Sequence, residues 1–116
     1  MSAKTKSGYE LAEKLNPSIG TTSAIIETCG LICRHARTYA RLQEQDCNVG
    51  LTDNERIREE GLQKRIADLC SRLPLVDGKP IRPVFSGDPR GATIKLAIPD
   101  GRSDDWGAVG ICVPNS

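Results

Sequence analysis

SAIIETCGLICRHARTYARLQEQDCNVGLTDNERIREEGLQKRIADLCSRL, residues 23–73, decides the reading of this chain, because two helical periodicities meet in it at a short turn. In its first half Ile25, Cys29, Ile32, Cys33, Ala36, Tyr39 and Ala40 recur at three- and four-residue steps. That spacing lays them along one stripe of a helix of 3.6 residues per turn. Thr22 or Ser23 caps the start by accepting from first-turn amides, and Glu27 lies in the early turns, where a negative charge suits the helix dipole. Residues 46–50, Asp-Cys-Asn-Val-Gly, end the helix, since Asn and Gly tolerate the left-handed conformation that closes one. Thr52-Asp53-Asn54-Glu55 then fits a capping box, and Leu62, Ile66, Leu69, Cys70 and Leu73 form a second apolar stripe that Pro74 terminates.

So short a connection makes the two helices antiparallel. With the turn near Asn48 to Gly50, Cys29 falls about level with Cys70 and Cys33 about level with Ile66, so three of the five cysteines point at the seam. Gly61 weakens the second helix by roughly 1 kcal/mol against Ala and reads as a place for close backbone approach.

A chain of 116 residues has room for one domain and one core. With only four aromatic side chains, Tyr9, Tyr39, Phe85 and Trp106, that core must be largely aliphatic. There is no run of eighteen apolar residues and no signal-peptide pattern, which predicts a soluble protein kept in the cytosol, with no membrane partner. Sixteen basic and fifteen acidic residues leave a formal net charge of +1, so any attraction to nucleic acid must be local.

Residues 1–8 are small and polar and read as a disordered tail, with a single domain over 9–116. Residues 9–15 form a short helix that docks through Tyr9, Leu11, Ala12 and Leu15 before Asn16-Pro17 breaks it. Beyond Pro74, residues 76–80 have turn composition and 81–85 strand composition, with Pro80 and Pro83 suiting an edge. Residues 86–91 form a turn, and 92–98 alternate, Ile94, Leu96 and Ile98 facing one way and Thr93, Lys95 and Ala97 the other. A loop over 99–108 leads to a last strand at 109–113. The expected fold is therefore α+β: an antiparallel helical hairpin over about 23–73, packed on a three-stranded antiparallel β-meander over about 80–114.

No complete catalytic or metal motif is present. Cys29, Cys33 and Cys70 could together face a zinc ion, but a fourth ligand would have to be Cys112 or His35. His35 lies two residues from Cys33 and so on another face, and no CxxC knuckle occurs, so reduced core thiols are the better reading. Cysteine catalysis would require the single histidine to act as base without a recognisable surrounding motif. The acidic loops with Asp88, Asp100, Asp104 and Asp105 read as ordinary turn hydrogen bonding. These readings predict a protein without catalytic residues, metal or cofactor.

Arg34, Arg37 and Arg41 follow helical spacing, and Arg56, Arg58, Lys64 and Arg65 add positive charge on the second helix, a pattern able to hold phosphates. Glu44, Glu55, Glu59, Glu60 and Asp68 are interleaved, and a solvated face laced with ion pairs is the simpler account of the whole set. Trp106 either pins its Gly- and Asp-rich loop or anchors a protein interface.

Glu44-Gln45-Asp46-Cys47-Asn48, Leu51-Thr52, the run 56–60, Gly87-Asp88-Pro89-Arg90-Gly91, Asp100-Gly101, Asp105-Trp106-Gly107 and Cys112-Val113-Pro114, taken as an ordered set, resemble small proteins encoded by bacteriophages and prophages. The resemblance implies a soluble, non-enzymatic accessory protein of the host cytoplasm, among whose kind anti-CRISPR and other inhibitors of host defence occur. On that expectation the chain blocks a host protein, for instance a CRISPR effector. It would do so through a helix face with Arg34, Arg37 and Arg41, or through the loops with Asp88, Arg90, Asp104, Asp105 and Trp106. The alternative is a nucleic-acid binder using the basic face of the first long helix. A homodimer through an uncovered face is compatible with both.

Overall fold

The computed structural model describes residues 3–76, 78–86, 93–98 and 110–113. Three helices, α1 (Ala3–Ile19), α2 (Ser23–Asn48) and α3 (Asp53–Ser71), precede three strands, β1 (Arg82–Ser86), β2 (Thr93–Ala97) and β3 (Gly110–Cys112). The strands form one antiparallel sheet in the order β1-β2-β3, in which Val84 opposes Lys95 and Leu96 opposes Ile111. Helices of 17, 26 and 19 residues stand against two full strands of 5 and a third of only 3, so the architecture is mostly helical. This overturns the expected pairing of a two-helix hairpin with a three-stranded meander.

The correction comes from α1. It begins at Ala3, inside the stretch expected as a tail, and continues through Asn16-Pro17 to Ile19. Leu11, Ala12 and Leu15 share one face and are fully buried, while Tyr9 stays exposed. Pro17 lies in the last turn, and Gly20 at φ 83° follows the end of the helix. What seats α1 is a glycine contact. A Cβ on Gly8 would come within 2.7 Å of the Gly30 Cα and of the Ile26 carbonyl oxygen, so the two helix backbones nearly touch there. Gly61, by contrast, has nothing within 4 Å of its open side, so the close approach expected there is found on α1 instead.

α2 and α3 keep the expected antiparallel arrangement. Thr22 is the N-cap of α2, its hydroxyl accepting from the Ile25 amide at 3.3 Å. α2 runs to Asn48, and the Val49 and Gly50 amides close its last turn on the Gln45 and Asp46 carbonyls, with Gly50 at φ 82°. The capping box on α3 forms in full: the Glu55 amide donates to the Thr52 hydroxyl at 3.3 Å, and the Thr52 amide donates to the Glu55 carboxylate at 3.1 Å. Those hydrogen bonds and one from Gln45 hold the Glu55 carboxyl below its usual range.

The core joins all three helices to the sheet: Leu11, Ile32, Ile66, Leu69, Ile81 and Leu96 are its largest fully buried aliphatic members, with Leu15. Each such side chain contributes about 1.5–3 kcal/mol by leaving water. Tyr39 on α2 meets Phe85 on β1 with ring centroids 5.2 Å apart and planes tilted by 56°, tying the sheet to the helices. Lys95 faces out, as alternation requires, but Ala97 on the same expected face is buried.

The two glycines give opposite expectations. Gly8→Ala forces α1 away from α2 and lowers unfolding stability by about 1–3 kcal/mol, whereas Gly61→Ala, in open space within a helix, raises it by about 0.5–1 kcal/mol. Chemical denaturation of both variants beside the parent protein tests the pair.

Candidate cationic face

Three polar contacts fix α3 against α2. The Gln45 amide donates to the Glu55 carboxylate at 2.7 Å, the Gln63 amide donates to the Tyr39 hydroxyl at 3.2 Å, and Arg56 pairs with Asp46 at 3.9 Å. Continued along the seam, this register sets Cys29 beside Cys70, one turn from Cys33, and all three are fully buried. None of the three is in a disulfide. Burial pushes the Cys29 and Cys70 thiols up to about 12, with each other or Cys33 adding to the effect, and it pushes Cys33 up to about 11 against the opposing pull of Arg37. Protonated thiols of this kind pack as small hydrophobes and are weak nucleophiles. Among the described residues no three His, Cys, Asp or Glu side chains are placed to share a metal ion.

Of the residues predicted to bind, Arg34, Arg37 and Arg41 lie on α2, and the structure keeps them on one side of it. Arg34 and Arg41 are exposed, and Arg37 between them is half-buried. The Arg37 Nε is buried without a hydrogen-bond partner. Its positive charge reaches Cys33, as do the positive charge of Lys14 and the negative charge of Glu10 on α1. Ion pairs among the described residues are formed by Arg56 with Asp46 and by Arg65 and Arg72 with Asp68, at 3.9, 3.7 and 3.1 Å. Arg34, Arg37 and Arg41 take part in none of them. Of the set read from the sequence, Arg56 and Arg65 thus form ion pairs, and this row forms none among the described residues. Glu55 is held by its cap and by Gln45, and one Glu59 oxygen is itself buried without a partner.

The positive charge of Arg34 on α2 and of Arg65 on α3 acts on His35, which the sequence raised as a metal ligand and as a base for cysteine catalysis. Its imidazole pKa is lowered from the ordinary value by partial burial first, then by Arg65 and Arg34. The ring is therefore neutral at physiological pH and lies where two cations converge. Asp88, Arg90, Asp104, Asp105 and Trp106 lie outside the described residues.

A concavity of about 310 Å³ opens where the end of α1, the start of α2 and the end of α3 meet, against Ile19, Ile25, Leu73 and Pro74. Its polar groups are already engaged: Thr22 accepts from Ile25, Thr28 donates to the Ala24 carbonyl at 2.9 Å, and Arg72 holds Asp68. Among the described residues the exposed large apolar side chains are Tyr9, Val49, Ile57, Leu75 and Val84, spread along the sequence. Among the described residues no helix is long and apolar enough to cross a membrane. No family model matches the chain, and no curated protein or solved structure is significantly similar to it.

The thiols give a pH-dependent signature. Their folded pKa values stand above the unfolded one of about 9, so the protons they retain stabilise the fold below that pH. Stability is accordingly lost as pH rises from about 9 through about 12. At pH 8, alkylation of native protein mapped by mass spectrometry labels exposed Cys47 and spares Cys29, Cys33 and Cys70, and denaturant removes the difference.

Proposed function

We propose that this protein is a non-enzymatic binding module that holds the phosphate backbone of nucleic acid on the α2–α3 face carrying Arg34, Arg37 and Arg41. One observation carries the reading: three arginines share one side of α2, and none of them is in an ion pair among the described residues. An arginine with its charge unpaired retains its donors for an incoming anion, and the guanidinium fork suits phosphate oxygens. Arg37, half-buried between Arg34 and Arg41, adds its charge to the row, and Arg65 and Arg34 both act on His35 as nearby positive charges. The balance of the whole chain, at +1, leaves the attraction local to this face.

Of the two partners weighed from the sequence, a host protein machine draws on motif order and on either a helix face with Arg34, Arg37 and Arg41 or loops outside the described residues. The phosphate reading draws on described side chains. Buried, protonated thiols favour binding over catalysis, since they offer no activated nucleophile.

Three neutralised phosphates set the salt dependence. A log–log plot of affinity against salt has a slope between about −2.1 and −2.7, the steeper value weakening binding about 40-fold from roughly 50 to 200 mM. Arg34→Glu with Arg41→Glu flattens that plot. Fluorescence anisotropy with labelled duplex and single-stranded oligonucleotides measures it, and a salt-independent signal, or one the double variant leaves unchanged, sinks the reading.

A further inference from the structure

We infer that the nucleic acid this face takes is a double helix, gripped across its backbone without base readout. The inference rests on the phosphate-binding reading above. Arg34 and Arg41 are seven positions apart on one continuous helix, about 10 Å of axis, with Arg37 between them. Each strand of a duplex offers a phosphate about every 3.4 Å of axis, so three arginines meet about three phosphates whose spacing is already set. The spacing on the protein side is equally fixed, because the hydrogen-bonded ladder of α2 holds it. A single strand would have to give up its own flexibility to match that row.

Ring chemistry points the same way. Single-strand sites gain about 1–3 kcal/mol per base from aromatic stacking. The positions one turn from Arg34 and Arg41 on α2 are Gly30, Leu31, Arg37, Thr38, Glu44 and Gln45, none of them aromatic. Tyr39 is buried with its hydroxyl on Gln63, Phe85 packs on Tyr39 at 5.2 Å, and Tyr9 on α1 is engaged with Glu13. Among the described residues, then, this face holds charge and no base platform.

The neighbours of α2 decide how it lies on a duplex. The major groove, about 12 Å wide, admits one helix of about 10–12 Å diameter. α3 runs antiparallel beside α2, and α1 closes onto its first half at Gly8 and Gly30. A helix flanked in this way is too broad to enter the groove, so the arginines reach phosphates from outside and the bases go unread.

The test uses the full-length protein with a duplex of about 20 base pairs, its separated strand, and a second duplex of unrelated sequence, at low salt. The expected result is that the duplex binds about tenfold more tightly than the strand and the two duplexes agree within about threefold. Arg34→Ala with Arg41→Ala, both on the surface and so without effect on thermal melting, lowers duplex affinity at least about tenfold. A strand bound as tightly as the duplex, with binding still lost in the double variant, overturns this inference and leaves the phosphate-binding reading standing. A sequence preference well above threefold overturns it too. Failure of all three oligonucleotides to bind overturns both.

Discussion

The contact between Gly8 and Gly30 is the constraint on which the rest of the molecule depends. Two helix backbones can approach this closely only where a side chain is missing, and a methyl group on Gly8 would have to occupy space already taken by the Gly30 main chain. With α1 seated there, Leu11, Ala12 and Leu15 enter the core and cover the side of α2 turned away from α3. α2 becomes a central helix with a neighbour on either hand. Its apolar stripe is consumed by the core, and the side left to solvent is the one that carries Arg34 and Arg41. The exposed arginine row is thus a by-product of where the helices must bury their apolar atoms.

The same geometry explains the thiols. Cys29, Cys33 and Cys70 occupy the seam among helices that come close together, where a sulfur atom fills space that a branched side chain would overfill. Burial keeps them protonated, and so their chemistry is suppressed by the packing that employs them. Tyr39 links the two halves of the structure. Its hydroxyl takes a hydrogen bond from Gln63 on α3, and its ring leans on Phe85 of β1, so one residue of α2 positions both its helical neighbour and the sheet.

Much of α2 and α3 was legible in the sequence because their signals are local. A Thr-x-x-Glu box and a three-four apolar rhythm are complete within a few residues, and the caps at Thr22 and Thr52 form on those residues. α1 was not legible for the opposite reason. Its first residues, Ala3 to Gly8, show no apolar periodicity, and the worth of Gly8 lies in a partner 22 positions away. Gly61 carried the same letter in a more helical setting and attracted the inference that belonged to Gly8. The arginine row could be placed on α2 from spacing, but interleaved acids suggested that it was neutralised. Which acid meets which base depends on side-chain reach across two helices, as with Asp46 and Arg56, and a linear spacing rule does not contain that information.

One modest feature of the sheet bears on how the molecule behaves in a crowded solution. β1 forms one margin of the three-strand layer, and its second residue is Pro83, which has no amide hydrogen to offer. A foreign strand aligning along that margin would find a gap in the row of donors it needs, next to the exposed side chain of Val84. At this margin, recruitment of a foreign strand and growth into a fibril are thereby blunted by a single ring.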